Sequence, residues 1–380
     1  MMSNKPRLIV KAGQHPRRDC PVLLDAPPDL PDGPLALHCQ RPDVRIPVQR
    51  LGKHLLFVLK DLAAGEERAY RLVRGEAALK GGVKVAEGVG TLAFSLDDRP
   101  FTTYHFDANE VRPYFYPLLG PSGIAMTRNF PMVKDATDES TDHPHHRSLY
   151  IAYGEVNGVN VWSEPSSPNT GRIIHESWEA VETGPVAGYF SELLQWVDAT
   201  GFPMLVERRR ALLYNTTTVR LLDLEIVLKP AHFAVLFGDT KEGGPLALRI
   251  ASAIEGKRGG VIQNAYGGRR EDECWGQPSP WVDYSGVING TTAGVAIMDH
   301  PTSFRHPTTW HVRDYGLFAA NPFGLSAFTN DPNRRGDYIL PPGQSLRFLY
   351  RVCLHLGNAD AARIDDHYHD FAHPPIALWE

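Results

Sequence analysis

Cysteine is scarce in this 380-residue chain: Cys20, Cys39, Cys274 and Cys353 are the only four, they lie far apart, and no CxxC pair occurs. That spacing argues against a structural zinc site or a dithiol redox motif, and free thiols fit a reducing compartment. Long apolar runs are absent as well. No stretch approaches the roughly 20 residues needed to cross a bilayer. Near the start only Leu8 to Val10 are apolar, too little for a signal-peptide core. A cytoplasmic protein with no membrane partner is therefore expected. Nor is there a basic excess: 39 Lys and Arg face 44 Asp and Glu, a formal net charge of −5, and the three arginines at 208–210 are the one notable run. No nucleic-acid partner is expected of such a surface. Helical periodicity sustained over three turns is missing too, with 358–371 and 61–70 its nearest approaches.

What is abundant is punctuation. The 34 glycines and 31 prolines are spread along the length with short β-branched or aromatic runs between them, the pattern of an all-β protein. Runs at 8–11, 22–24, 35–39, 46–50, 54–59 and 68–73 follow one another at the short, regular spacing of a sandwich. Residues 1–85 are expected to form a small β-sandwich, with Gly81 and Gly82 near the boundary, before a larger β unit over 86–380. Alternation at 188–197, 208–214 and 220–228 marks further strands that read as scaffold.

The densest chemistry lies in DHPHHRSLYIAYGEVNGVNVWSE, 142–164, where His143, His145 and His146 stand between Asp142 and Arg147. In an extended segment, alternation puts His143 and His145 on one face and His146 on the other. Pro144 cannot donate to a ladder, so the run belongs to an edge or to a loop entering a strand at 148–152. Neutral imidazoles two apart on one face can hold a divalent metal, and a single imidazole moves protons near neutral pH. The plainer alternative is that they fill a polar turn and bond carbonyls.

In VRPYFYPLLGPSG, Arg112, Tyr114 and Tyr116 share a face when extended, a donor-rich wall that reads hydroxylated ligands or pins a loop. The loop DTKEGG, 239–244, turns its charges to a pocket or to solvent. In the last third, WVDYSG, MDHP and RHPTTWHVRDYGLFAANPFG carry Asp283, Asp299, His300, His306 and Asn321. Within 310–315, His311, Arg313 and Tyr315 fall on one strand face. Three such groups are costly to bury unpaired, so they form a satisfied network or line a wet cleft. Trp162, Trp275, Trp281 and Trp310 lie beside these motifs, either as core or as flat surfaces on which sugar CH faces stack.

Taken in order, RPYFYPLLGPSG, DHPHHRSLYIAYGEVNGVNVW, GDTKEGG, WVDYSG, DHP and WHVRDYGLFAANPFG resemble the motif series of a large bacterial family of unknown function, often labelled PmoA family or methane oxygenase, over residues 100–357. The oxygenase label does not fit: such a subunit is an integral membrane protein, and no spanning segment exists here. The resemblance implies a link to carbohydrate catabolism. It also implies, for 86–380, a two-sheet antiparallel β-supersandwich similar to that of galactose mutarotases and several polysaccharide lyases. The mutarotase catalytic histidine stands in a different local motif, so HPHHRS does not inherit its role.

Three functions follow, each with a small-molecule sugar or glycoside as the first partner considered. In the first, a lyase or hydrolase acts on a glycoside or keto-glycoside. His145 or His146 is acid and base, Asp283 or Asp299 is the carboxylate partner, and Arg313 and Tyr315 hold an oxyanion or sugar carbonyl; Arg112, Tyr114, Arg147, Trp162, His311 and Asn321 bind substrate. In the second, His143 and His145 with His300, with His306 or His311, or with a carboxylate, hold Zn, Mn or Fe that polarises a carbonyl or water, a chemistry that extends to a hydrolase of another small substrate. In the third, the protein binds sugar without catalysis.

Overall fold

Alternation becomes antiparallel pairing almost throughout the computed structural model, which describes residues 6–28, 30, 32–75, 81–164 and 169–380. Six N-terminal strands, Arg7–Lys11, Arg17–Asp25, Leu35–Gln40, Asp43–Leu51, His54–Leu62 and Glu67–Arg74, are joined by the C-terminal strand Ile376–Trp379, which pairs with Arg7–Lys11. Asp43–Leu51 turns the corner of this unit: Asp43 to Val48 pair with Gln40 to Leu35, whereas Gln49 to Leu51 pair with Leu56 to His54. The bent sheet closes over Leu8, Val10, Val22, Leu37, Phe57 and Leu72, each worth about 1.5–3 kcal/mol of burial. This is the small sandwich.

Two eight-stranded antiparallel sheets make the larger unit. The first runs, edge to edge, through Trp310–Val312, Leu317–Ala320, Gly243–Arg249, Leu149–Tyr153, Tyr114–Leu118, Arg99–His105, Thr91–Leu96 and Val83–Gly88. The second runs through Arg172–Glu182, Ala187–Val197, Pro203–Tyr214, Arg220–Pro230, Leu346–Leu356, Thr291–Asp299, Trp281–Ile288 and Val261–Asn264. Their inner faces share one core, in which Phe94, Tyr104 and Phe115 of the first sheet meet Phe190 of the second, Tyr104 at 4.8 Å. The architecture is the two-sheet supersandwich. Leu149–Tyr153 and Gly243–Arg249 are buried on both faces, which is why each reads as a nearly unbroken apolar run: their outer face lies beneath Met132, Trp162 and Tyr315.

Helix is sparse. Ala359–Ala362 and Ile364–Ala372 occupy the C-terminal stretch with helical periodicity, and the second is docked by Asp370 against Arg17 at 3.1 Å. Residues 61–70 are not helical. They end one strand and begin the next around a turn in which Gly65 takes φ 75°. All four cysteines are buried and free. Among the described residues no helix is long and apolar enough to cross a membrane.

Candidate functional site on the outer sheet face

The approach to Leu149–Tyr153 is not extended. His143 takes φ 46°, and the His146 N–H donates to the His143 carbonyl at 3.0 Å. This turn overrides alternation and stacks His143 on His146, centroids 4.7 Å apart and 5° from parallel, instead of sending them to opposite faces. From the edge strand Trp310–Val312 the chain turns back through Tyr315, whose ring lies parallel to His143 at 5.1 Å. His145 stands across the stack, 4.4 Å from His146 and 5.8 Å from Trp162. The histidine run and the 311–315 segment thus meet on one face of the first sheet.

Buried arginines hold this arrangement. Arg128 and Arg249, neither with exposed side-chain area, both donate to Asp142 Oδ1 at 2.8 Å. Arg128 also donates to the carbonyls of Phe130, Ser140, Asp142 and His143. Arg249 Nη1 lies 3.2 Å from His146 Nδ1. Arg112 donates to the carbonyls of His145, Trp162 and Ser163 at 3.0, 2.6 and 3.2 Å. Arg147 pairs with Glu164 and with Glu110, and lies over the Tyr114 ring. Buried cations are retained only when paired and hydrogen-bonded, and here the partners belong to the chain. Arg112 and Arg147 therefore pin loops, Arg112 keeping one buried N–H, Nε, without an acceptor.

The remaining carboxylate contact is the informative one. Asp142 Oδ2 meets His143 Nδ1 at 2.6 Å. Burial pushes the Asp142 carboxyl up, but Arg249, His143 and Arg128 outweigh it and hold it at about 2. An ionised carboxylate accepts the imidazole hydrogen on Nδ1 and turns Nε2 away from it. Burial, then Arg112 and His143, lowers His145 to about 4. Burial, then His145 and Arg249, puts His146 well below the usual histidine range. Burial also takes His311 to about 3, against the Lys241 carbonyl that its Nδ1 meets at 2.7 Å, and raises Tyr315 to about 12. Near neutral pH the site thus presents neutral His145, His146 and His311, a neutral phenol and an ionised carboxylate.

Several residues expected here lie elsewhere. Asp283 belongs to the second sheet, where its Oδ2 meets His355 Nε2 at 2.6 Å with both side chains wholly buried. Asp299 ends another strand of that sheet and accepts from the Thr308 N–H at 2.9 Å, with His306 Nδ1 at 3.0 Å. His300 contacts the Thr302 hydroxyl and packs on Phe371. Neither carboxylate partners His145 or His146. The set His143, His145 and His300 is not assembled, and among the described residues no group of three or more His, Cys, Asp or Glu is placed to hold a metal ion. Asn321 is committed to the Phe323 and Gly324 N–H groups and the Thr240 carbonyl, so it builds a turn. Trp162 is buried and meets His145, His146 and Tyr150, so it is no open stacking surface. Trp281 and Trp310 are core residues that donate to Asp365 and to the Ser279 carbonyl.

Sequence reasoning missed Arg128, Arg249 and Tyr150, and it read Asp142 only as a neighbour of the cluster. Arg249 did leave a signal: a single charge closing the buried strand GGPLALR must find a partner.

A family model described as a family of unknown function matches residues 91–369, with no methane oxygenase in its description. No curated protein matches the sequence. Among solved structures, a glycosyl hydrolase family 38 protein from Enterococcus faecalis is similar over 100% of this chain and 48% of that one, at 11% identity and a TM-score of 0.46. An alpha-galactosidase from Lactobacillus brevis is similar over 77% of this chain and 42% of that one, at 10% identity and 0.36. An Escherichia coli K12 protein assigned as an aldose 1-epimerase is similar over 73% of this chain and 100% of that one, at 10% identity and 0.31. The chain spans about half the length of the first of these. Values this low carry no chemistry from those proteins to this one.

Proposed function

The chain belongs to this family of unknown function, DUF6807, and we propose that its outer-face site binds a small carbohydrate and moves a proton on it. His143 is the base, Asp142 the carboxylate that orients it, and His145 and Tyr315 flank the reacting position. The observation that carries this reading is the Asp142–His143 contact of 2.6 Å at a rim where the His143 side chain is 42% exposed. A carboxylate held ionised by two guanidinium groups is a poor proton acceptor, so its part is to fix the tautomer and aim of the imidazole. His143 Nε2 then takes a proton from a hydroxyl, or from a carbon beside the carbonyl of a keto-glycoside. Arg249 and Arg313, 4.9 and 5.6 Å from the Tyr315 ring centroid and paired with Asp142 and Glu271, hold the phenol in place as a donor to a developing oxyanion. Neutral imidazoles and a phenol both donate to and accept from hydroxyls, which suits an uncharged sugar.

The test is proton NMR in D2O with neutral sugars, glycosides and keto-glycosides. Wild-type protein is expected to exchange a substrate proton or release product, and His143→Ala to lose about 10²–10⁴-fold, the usual worth of a positioned base. His143 is half in solvent, so its removal spares the fold. Undiminished turnover in His143→Ala overturns the base assignment, and no reaction with any of these compounds overturns the substrate class.

A further inference from the structure

The second sheet has its own outer face, and where it passes under the N-terminal sandwich the two enclose a cleft of about 850 Å³. Its floor comes from alternate residues of adjacent strands. In one row Ser191 lies opposite Arg210, Arg210 opposite Glu225 and Glu225 opposite Leu349. In the next Tyr189 lies opposite Leu212, Leu212 opposite Asp223 and Asp223 opposite Arg351. Leu23 and Leu51 line it from the sandwich, and Asp370 and Phe371 from the helix Ile364–Ala372.

Every cation of the floor already holds a carboxylate. Arg351 grips Asp223 through two bonds of 2.6 and 2.7 Å, Arg210 meets Glu225 at 3.0 Å, and Arg347 meets Glu225 at 2.7 Å. A charged ligand would have to break one of these pairs, whereas an uncharged one is met by alternating donors and acceptors. Arg351 Nη1 is a buried donor with no acceptor, while Asp370 accepts from Arg17 and from the Cys20 thiol. Both side chains are at least nine-tenths buried, both line the cleft, and the Arg351 guanidinium lies 4.6 Å over the Phe371 ring beside Asp370. A ligand hydroxyl offers Arg351 Nη1 the acceptor it lacks. The volume lies within the roughly 300–1,000 Å³ usual for small-molecule sites, and the position between two packed units is a common one for them.

The geometry points to a second binding site here, for an uncharged polyhydroxylated ligand, a short glycoside whose CH faces lie on Tyr189, Phe371 and the flanking leucines. It is separate from the histidine site and does not depend on that site's chemistry. Isothermal titration calorimetry on the full chain tests it, with cellobiose, maltose and lactose as neutral probes and digalacturonic acid as the charged counterpart. At least one neutral disaccharide is expected to bind. Leu23→Arg, a change at a side chain 52% exposed on the roof, is expected to weaken that binding at least tenfold; so is Tyr189→Ala, while His143→Ala leaves it unchanged. The proposal is overturned if no neutral disaccharide binds, if both cleft variants bind like wild type, if His143→Ala abolishes binding, or if digalacturonic acid binds more tightly than every neutral probe.

Discussion

Asp142 accepts from two guanidinium groups that have no exposed side-chain area, and from the His143 ring. Replacing it with asparagine leaves two buried cations one anion short. Breaking a fully buried pair costs about 3–5 kcal/mol. Because the Asp142 side chain is 39% exposed, water softens the loss, and about 2 kcal/mol is expected for Asp142→Asn by urea denaturation. An unchanged midpoint would show that the main-chain carbonyls around Arg128 and the Glu255 carboxylate beside Arg249 hold the clamp without Asp142. The same variant removes the group that fixes the His143 tautomer, which is why His143→Ala is the cleaner probe of chemistry and Asp142→Asn the cleaner probe of architecture.

At the level of elements, the site hangs on close strand approach. A Cβ at Gly244 would lie 2.0 Å from the Ala320 carbonyl oxygen, and Gly244 joins the strand of the histidine run to the one that follows Tyr315. Gly244→Ala is expected to cost about 1–3 kcal/mol through overpacking and to shift the His311 and Tyr315 ring resonances in NMR spectra; a variant with wild-type spectra would show the strands free to part. Strand positions were largely legible in the sequence: all six N-terminal runs and the alternating stretches at 188–197, 208–214 and 220–228 lie in strands. So were the two ends of the site, since histidines 143–146 and the 311–315 segment stood out by composition. Their carboxylate partner was not. Alternation tells which face of its own strand Asp283 occupies, but long-range pairing decides which sheet that strand joins, and no local pattern encodes it. Nor did alternation survive at 142–146, where a left-handed residue before Pro144 turned the chain and brought His143 over His146.

For the whole molecule, the buried imidazoles set the response to acid. Burial lowers His145 to about 4, His146 well below its usual value, His311 to about 3 and His367 to about 4. Each is held neutral in the fold while the unfolded chain titrates near 6.5, so between those values the unfolded state binds more protons. Their contribution is complete above about pH 6.5 and is lost as pH falls toward 4. Asp370, which burial raises to about 6 against Arg17, runs the other way and gains stability over part of that window. Burial also raises the Glu192 carboxyl, which acts in the same sense as Asp370; four imidazoles against two carboxyls still give a net loss, and calorimetry is expected to find a falling Tm from pH 7 to pH 4.5. A flat or rising Tm would mean that these rings reach water.

The sandwich that roofs the cleft is completed by Ile376–Trp379 lying antiparallel on Arg7–Lys11, with Arg7 and Glu380 exchanging main-chain hydrogen bonds at 3.3 and 2.7 Å. Tension drawn between those two residues therefore meets the ladder end-on and peels it one rung at a time, instead of shearing all rungs together. Under mechanical load the C-terminal ribbon detaches first and at low force, before tension reaches Leu346–Leu356 in the second large sheet.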